Sequence, residues 1–131
     1  MEFGAHGTFE LSKAGEVYLV SFSRAWNVEA SRDFFSTYVK FVEGHNLPRF
    51  GVLADVRELE GGTPEAILFF DEVARWATQK GQVARAVISN AAHREYIVQS
   101  IDGDRRAFPV KVFQDRDEAL AWLRSFGLSV S

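Results

Sequence analysis

The sequence predicts an α/β fold: a single five-stranded, mostly parallel sheet in the order β-β-α-β-α-β-α-β-α. Three observations predict it. Short apolar runs alternate with longer stretches of helical period, which implies parallel strands joined by helical crossovers. The stretch Arg49-Phe-Gly-Val-Leu-Ala-Asp55 through Phe70 reads as a buried strand, an acidic turn and a sharply started helix. Two strand candidates at the start surround Lys13-Ala14-Gly15, a loop of about three residues containing Gly, which reads as a hairpin.

Gly7 to Ser12 and Glu16 to Ser23 form that hairpin, with Val17-Tyr-Leu-Val-Ser-Phe22 the stronger strand. Asn27 is placed to cap a first helix, Val28 to Glu43. On a helical wheel Phe34, Phe35, Tyr38, Val39, Phe41 and Val42 span about 160° at about 100° per residue. Gly44 is the expected stop, and Pro48 prevents the helix from resuming. Phe50 to Val56 is an apolar run of strand length, and its continuity suits a strand covered on both faces. Asp55 lies near its end, where ligand groups gather in open parallel sheets. Gly61 and Gly62 suit a turn. Thr63 is a good N-cap, Pro64 fits the first helical position, and Glu65 faces the positive helix end.

The second helix runs from Pro64 to Lys80 and stops at Gly81. Val83 to Ile88 is the next strand. Asn90 then caps a shorter helix over roughly 91–101, and Asp102-Gly103-Asp104 turns the chain. Phe108-Pro-Val-Lys-Val-Phe113 is the last strand, marked as an edge by Pro109 and Lys111. Asp115 with Glu118 reads as a capping box for the last helix. Ala119, Leu120, Trp122, Leu123 and Phe126 supply its core stripe, and Gly127 stops it. Phe50, Val52, Ala54, Val87, Leu120 and Leu123 are the expected core markers.

The length of 131 residues fits one domain, 1–131, with room for a real core. Apolar residues make up 47%, including 12 Phe, which argues against disorder. The net charge of −3 disfavours nucleic acid, whose partners carry a basic face. With no Cys, disulfides, thiol catalysis and zinc–thiolate sites are excluded. The start has no basic segment leading into an apolar one, and no apolar run approaches membrane-spanning length, so a cytoplasmic protein is expected.

Val52-Leu-Ala-Asp55-Val-Arg-Glu-Leu59 and the closing Phe108-Pro-Val-Lys-Val-Phe113-Gln-Asp-Arg-Asp-Glu118-Ala-Leu-Ala-Trp122-Leu123, with the element order, resemble the SpoIIAA-like group, related to STAS domains. The resemblance covers nearly the whole chain. It implies a small (βα) superhelix and a non-enzymatic role in regulation or partner binding. Anti-sigma-factor antagonists carry an Asp-Ser-Ser/Thr-Gly type motif where the second helix begins. This chain has Glu60-Gly61-Gly62-Thr63-Pro64 there, so Thr63 offers the only hydroxyl and the motif is not matched. STAS-type domains present the start of this helix to partners.

Chemistry-bearing residues are sparse. His6, His45 and His93 share no metal-ligand spacing and read as structural or solvent-facing. Asp55, Glu58 and Glu60 form a small carboxylate group, read chiefly as a solvated acidic turn beside Arg57, with Asp55 the candidate ligand contact. Gly61-Gly62-Thr63 lacks the Lys of a phosphate-binding loop, and there is no Gly-x-Ser-x-Gly elbow. No cofactor, metal or catalytic residue is expected. The second helix has an ordinary inward stripe of Ala66, Phe70, Val73, Ala74 and Ala77. Leu68, Phe69 and Trp76 fall outside it. They either pack against a neighbouring helix or form a ridge for a protein partner or a second copy in a homodimer, with Thr63 at the helix start. The aromatic excess leaves a second reading, a small apolar-ligand or lipid carrier with a gap among Phe34, Phe41, Phe69 and Phe70.

Overall fold

Side-chain alternation builds the sheet. A computed structural model of the chain describes residues 7–62, 64–90 and 108–130, the side chains of 64–71 excepted. Strands β1 (Thr8–Ala14), β2 (Val17–Trp26), β3 (Phe50–Gly62), β4 (Gln82–Ile88) and β5 (Val110–Phe113) form one five-stranded sheet in that spatial order. β1 pairs antiparallel with β2, and the remaining pairs are parallel. Helices α1 (Val28–His45), α2 (Pro64–Lys80) and α3 (Arg116–Arg124) complete the described elements. The helix expected over 91–101 and the turn at 102–104 lie outside the described residues.

The sheet is covered on both faces. Tyr18, Val20 and Phe22 of β2 with Phe50, Val52, Ala54 and Val56 of β3 pack under Phe34, Tyr38 and Val42 of α1 and Val73 and Ala77 of α2. Val17, Leu53, Ala84, Ala86 and Ile88 pack on the other face against Ala119 and Leu123 of α3 and Leu128 beyond it. Residues 50–54 are buried on both faces, as an unbroken apolar run implies. Of the expected core markers, Phe50, Val52, Ala54, Val87 and Leu123 are buried. Leu120 is a correction: it is only half-buried, packed at the edge of the α3 cluster.

Caps and turns hold these elements in place. Asn27 Oδ1 accepts from the Ala30 N–H at 3.0 Å, starting α1. The helix passes Gly44 and ends at His45; the next residue, Asn46, takes the left-handed conformation (φ 50°) and its N–H donates to Val42 O. Asn tolerates this conformation, so Gly44 is not needed as the stop. Asp115 caps α3 by accepting from the Asp117 N–H at 3.0 Å. The hairpin loop is tighter than three residues: Ala14 pairs with Val17, leaving Gly15 (φ 61°) and Glu16 to turn the chain. Gly81 (φ 111°) lies so close to the Pro48 carbonyl that a Cβ there would collide with it.

The largest departure from the sequence reading is at the end of β3. Residues 57–62 are strand, not turn. Beyond the Asp55–Ile88 pair, where β4 ends, β3 continues beside Ser23–Trp26 of β2 as a projecting two-stranded ribbon. Two register shifts give β3 an extra residue each time, between Ser21 and Ser23 and between Arg24 and Ala25 of β2. Such bulges bend and twist a strand. Arg57, Glu58 and Glu60 are exposed on the ribbon, whereas Val56 and Leu59 keep contact with the core. The charges that read as a turn are therefore the solvent side of a strand. At the same place Arg24 adopts φ 68°, and Trp26 Nε1 donates to Ser23 O at 2.9 Å.

Candidate partner-docking surface

α1 and α2 lie side by side on one face of the sheet, so their shared seam collects the side chains at the margins of both apolar stripes. On α1, Phe34, Tyr38 and Val42, spaced by four, are buried. Phe35 and Val39 lie on one margin of that stripe and are half-buried. On α2, Val73, Ala74 and Ala77 are buried.

Trp76 is half-buried beside them. Its ring stands edge-on to Phe35 with centroids 5.9 Å apart and to Tyr38 at 6.0 Å. The Lys80 ammonium sits 5.8 Å from the indole centroid and pairs with Glu43 of α1 at 3.3 Å. The seam is thus an aromatic step rimmed by an exposed ion pair, with Glu72 and Arg75 also exposed nearby on α2. Phe35 is the residue sequence reasoning assigned wholly to the inward stripe. Its place on the outer margin of the 160° arc is the signal that it borders α2.

Tyr38 lies beneath this step. Burial pushes its phenol well above the usual tyrosine range; the Arg85 charge opposes the shift and Tyr18 adds to it. Arg85 in turn lies over the Phe108 ring at 5.3 Å.

The other candidate, Asp55, lies at the last β3–β4 pair. Arg57 Nε and Nη2 donate to Asp55 Oδ1 and Oδ2 at 3.0 and 2.7 Å, and the Arg57 N–H donates to Oδ1 at 3.1 Å. Partial burial works against the charged carboxylate, but the hydrogen bonds and charge of Arg57, with Arg116 adding, outweigh it and hold the group below its usual range. Asn90 Nδ2 donates to Arg57 O at 3.2 Å and ties this corner to the segment after β4. Both carboxylate oxygens thus serve an internal pair. Among the described residues no group of three or more acidic or histidine side chains is placed to hold a metal ion. His45 is exposed and lies against the Phe41 ring at 4.7 Å.

Of the candidate ridge, the structure places Trp76 at the seam. Thr63 and the side chains of Leu68 and Phe69 lie outside the described residues. The backbone places 68, 69 and 76 on one helix, with 69 and 76 two turns apart on a shared flank. Asp55 is on a different element and does not join them.

The family model described as Domain of unknown function (DUF7793) matches residues 17–127. No curated protein matches the chain. Among solved structures, an uncharacterised protein of the DUF3478 family from Shewanella loihica PV-4, described as having a SpoIIAA-like fold, is similar with a TM-score of 0.68 at 16% identity, covering 94% of this chain and 98% of that one. An anti-sigma factor antagonist from Mycobacterium paratuberculosis is similar with a TM-score of 0.59 at 16% identity, covering 90% of this chain and 94% of that one. The fold is SpoIIAA-like, as the sequence resemblance implies. No helix among the described residues is long and apolar enough to cross a membrane.

Proposed function

The chain belongs to the DUF7793 family, and we propose that it is a non-enzymatic regulatory module that works by binding a protein partner. The observation that carries this reading is the aromatic step at the α1–α2 seam, where Trp76 is only partly buried while Val73, Ala74 and Ala77 of the same helix are buried. Half-exposed aromatics rimmed by charge are the residue types that anchor interfaces. In this proposal Leu68 and Phe69, earlier on the same helix, belong to the same docking surface, and Thr63 precedes Pro64 at that end. The fold is shared with an anti-sigma factor antagonist, which supports a regulatory reading. In this proposal the Asp55–Arg57 pair is an internal ion pair at the end of β4 rather than a catalytic base. The protein works in the cytoplasm.

Affinity capture from native cells with the tagged chain and with the Leu68→Glu, Phe69→Glu variant tests the reading. A defined protein retained by the wild type and lost from the folded variant is expected. Equal capture by both, or substrate turnover that disappears on Asp55→Asn, overturns it.

A further inference from the structure

The two edges of the sheet are built differently. β5 has four residues, follows Pro109 and carries the exposed Lys111, features that discourage further pairing. β1 has seven residues, contains no Pro, and pairs with β2 at every position from Thr8 to Ala14 without a bulge. Among the described residues no strand pairs with its outer side. Its cation, Lys13, turns back along the hairpin to donate to Gly15 O at 3.1 Å. Phe9 and Leu11 are the outermost side chains of the α1-side core and stay half-buried, whereas Thr8, Glu10 and Ser12 are exposed on the opposite face.

From this edge we propose that β1 is a self-association surface, pairing antiparallel with β1 of a second copy to make a continuous ten-stranded sheet. The register follows from the residues. Paired residues must share a face, so the two-fold axis passes through a residue position. Centring on Leu11 pairs all seven residues. It sets Leu11 against Leu11, Glu10 against Ser12 and Phe9 against Lys13 of the other copy. Centring on Glu10 opposes two carboxylates. Centring on Ser12 shortens the overlap and sets Lys13 against Leu11. The Glu10 register would set Phe9 against Leu11, but it pairs only five residues and opposes the two carboxylates; the Leu11 register pairs all seven, keeps Leu11 on Leu11 and gives Glu10 a hydroxyl as its neighbour. Adding strands to an exposed edge supplies backbone hydrogen bonds, and the alternating side chains set the register. This interface lies at the far edge from β5 and does not require the α1–α2 step.

Sedimentation equilibrium on the full chain tests it. The wild type is expected to dimerise. Ser12→Glu, at an exposed position, sets like charges opposite each other at two symmetry-related places and is expected to weaken the dimer about tenfold. Adding Glu10→Lys to that variant replaces the repulsion with attraction and is expected to restore the dimer. Circular dichroism confirms that each variant is folded. A wild type that stays monomeric at every concentration reached overturns the proposal. So does a dimer indifferent to Ser12→Glu, a dimer the paired variant does not restore, or a dimer lost instead on Leu68→Glu.

Discussion

Asp55 and Arg57, two residues apart on β3, close a two-pronged ion pair at the point where β4 leaves the strand. Their side chains share a face, and the bulge beginning at this point lets the Arg57 N–H reach the same carboxylate. Because the folded-state carboxyl titrates below its unfolded value, the pair contributes stability that is fully present above about pH 4 and is lost as pH falls through the folded pKa. Arg57 is half-exposed, so the contribution is about 0.5–1 kcal/mol. Asp55→Asn is expected to lower stability by that amount at pH 7. Urea titrations should show the gap between variant and wild type narrowing as pH falls below about 4.

Tyr38 gives the opposite dependence. Its phenol is held neutral by burial, so its folded pKa is raised and the linked stability is present below about pH 10, then lost as pH rises further. Tyr38→Phe removes that titration. Denaturant midpoints measured at pH 8 and pH 11 should fall less in the variant than in the wild type, and an ultraviolet titration of the folded protein should lose one late-ionising phenol.

Much of this fold is legible because burial and period agree. Phe34, Tyr38 and Val42 repeat at helical spacing and are buried; Phe50 to Ala54 is apolar without a break and is covered on both faces. Pro109 and Lys111 mark β5 as an edge, and it is one. The end of β3 is misread because sequence polarity reports solvent exposure, and an exposed ribbon and a turn share it. Arg57, Glu58, Gly61 and Gly62 look like loop residues, yet Leu59 keeps one side of the strand on the core. Pairing with β2 holds the rest, a long-range contact that no local pattern contains. The α1–α2 seam is half legible: Trp76 stands out from its stripe, but its partner Phe35 is hidden among six apolar residues of α1.

Arg24 occupies left-handed backbone (φ 68°) between the two bulges, with its side chain exposed. This conformation costs an ordinary residue about 1–2 kcal/mol, and glycine escapes that cost at an entropic penalty of roughly 0.5–1 kcal/mol. Arg24→Gly is therefore expected to stabilise the fold by about 0.5–1 kcal/mol, read as a rise in the thermal midpoint. A drop would mean that the Arg24 side chain contributes more than its backbone costs.

The contact between Phe35 and Trp76 decides how much of the α1–α2 step is core and how much is available to a partner. Their edge-on geometry, at 86° between ring planes, is the favoured aromatic arrangement and is worth about 0.5–1.5 kcal/mol beyond the area it covers. Trp76 also touches the buried Tyr38, so Trp76→Ala should cost about 2–3 kcal/mol, less than a fully buried Trp because one side faces solvent. Phe35→Ala should cost less, since its ring is half-buried and lies outside the buried stripe. A double-mutant cycle isolates the pair: the two losses should fall short of additivity by about 0.5–1.5 kcal/mol. A coupling of zero would mean the rings are independent in solution. Coupling within this range assigns the Phe35 side of the indole ring to the packed seam. Leu68→Glu, at another position of the same helix, then tests binding with Phe35 and Trp76 both intact.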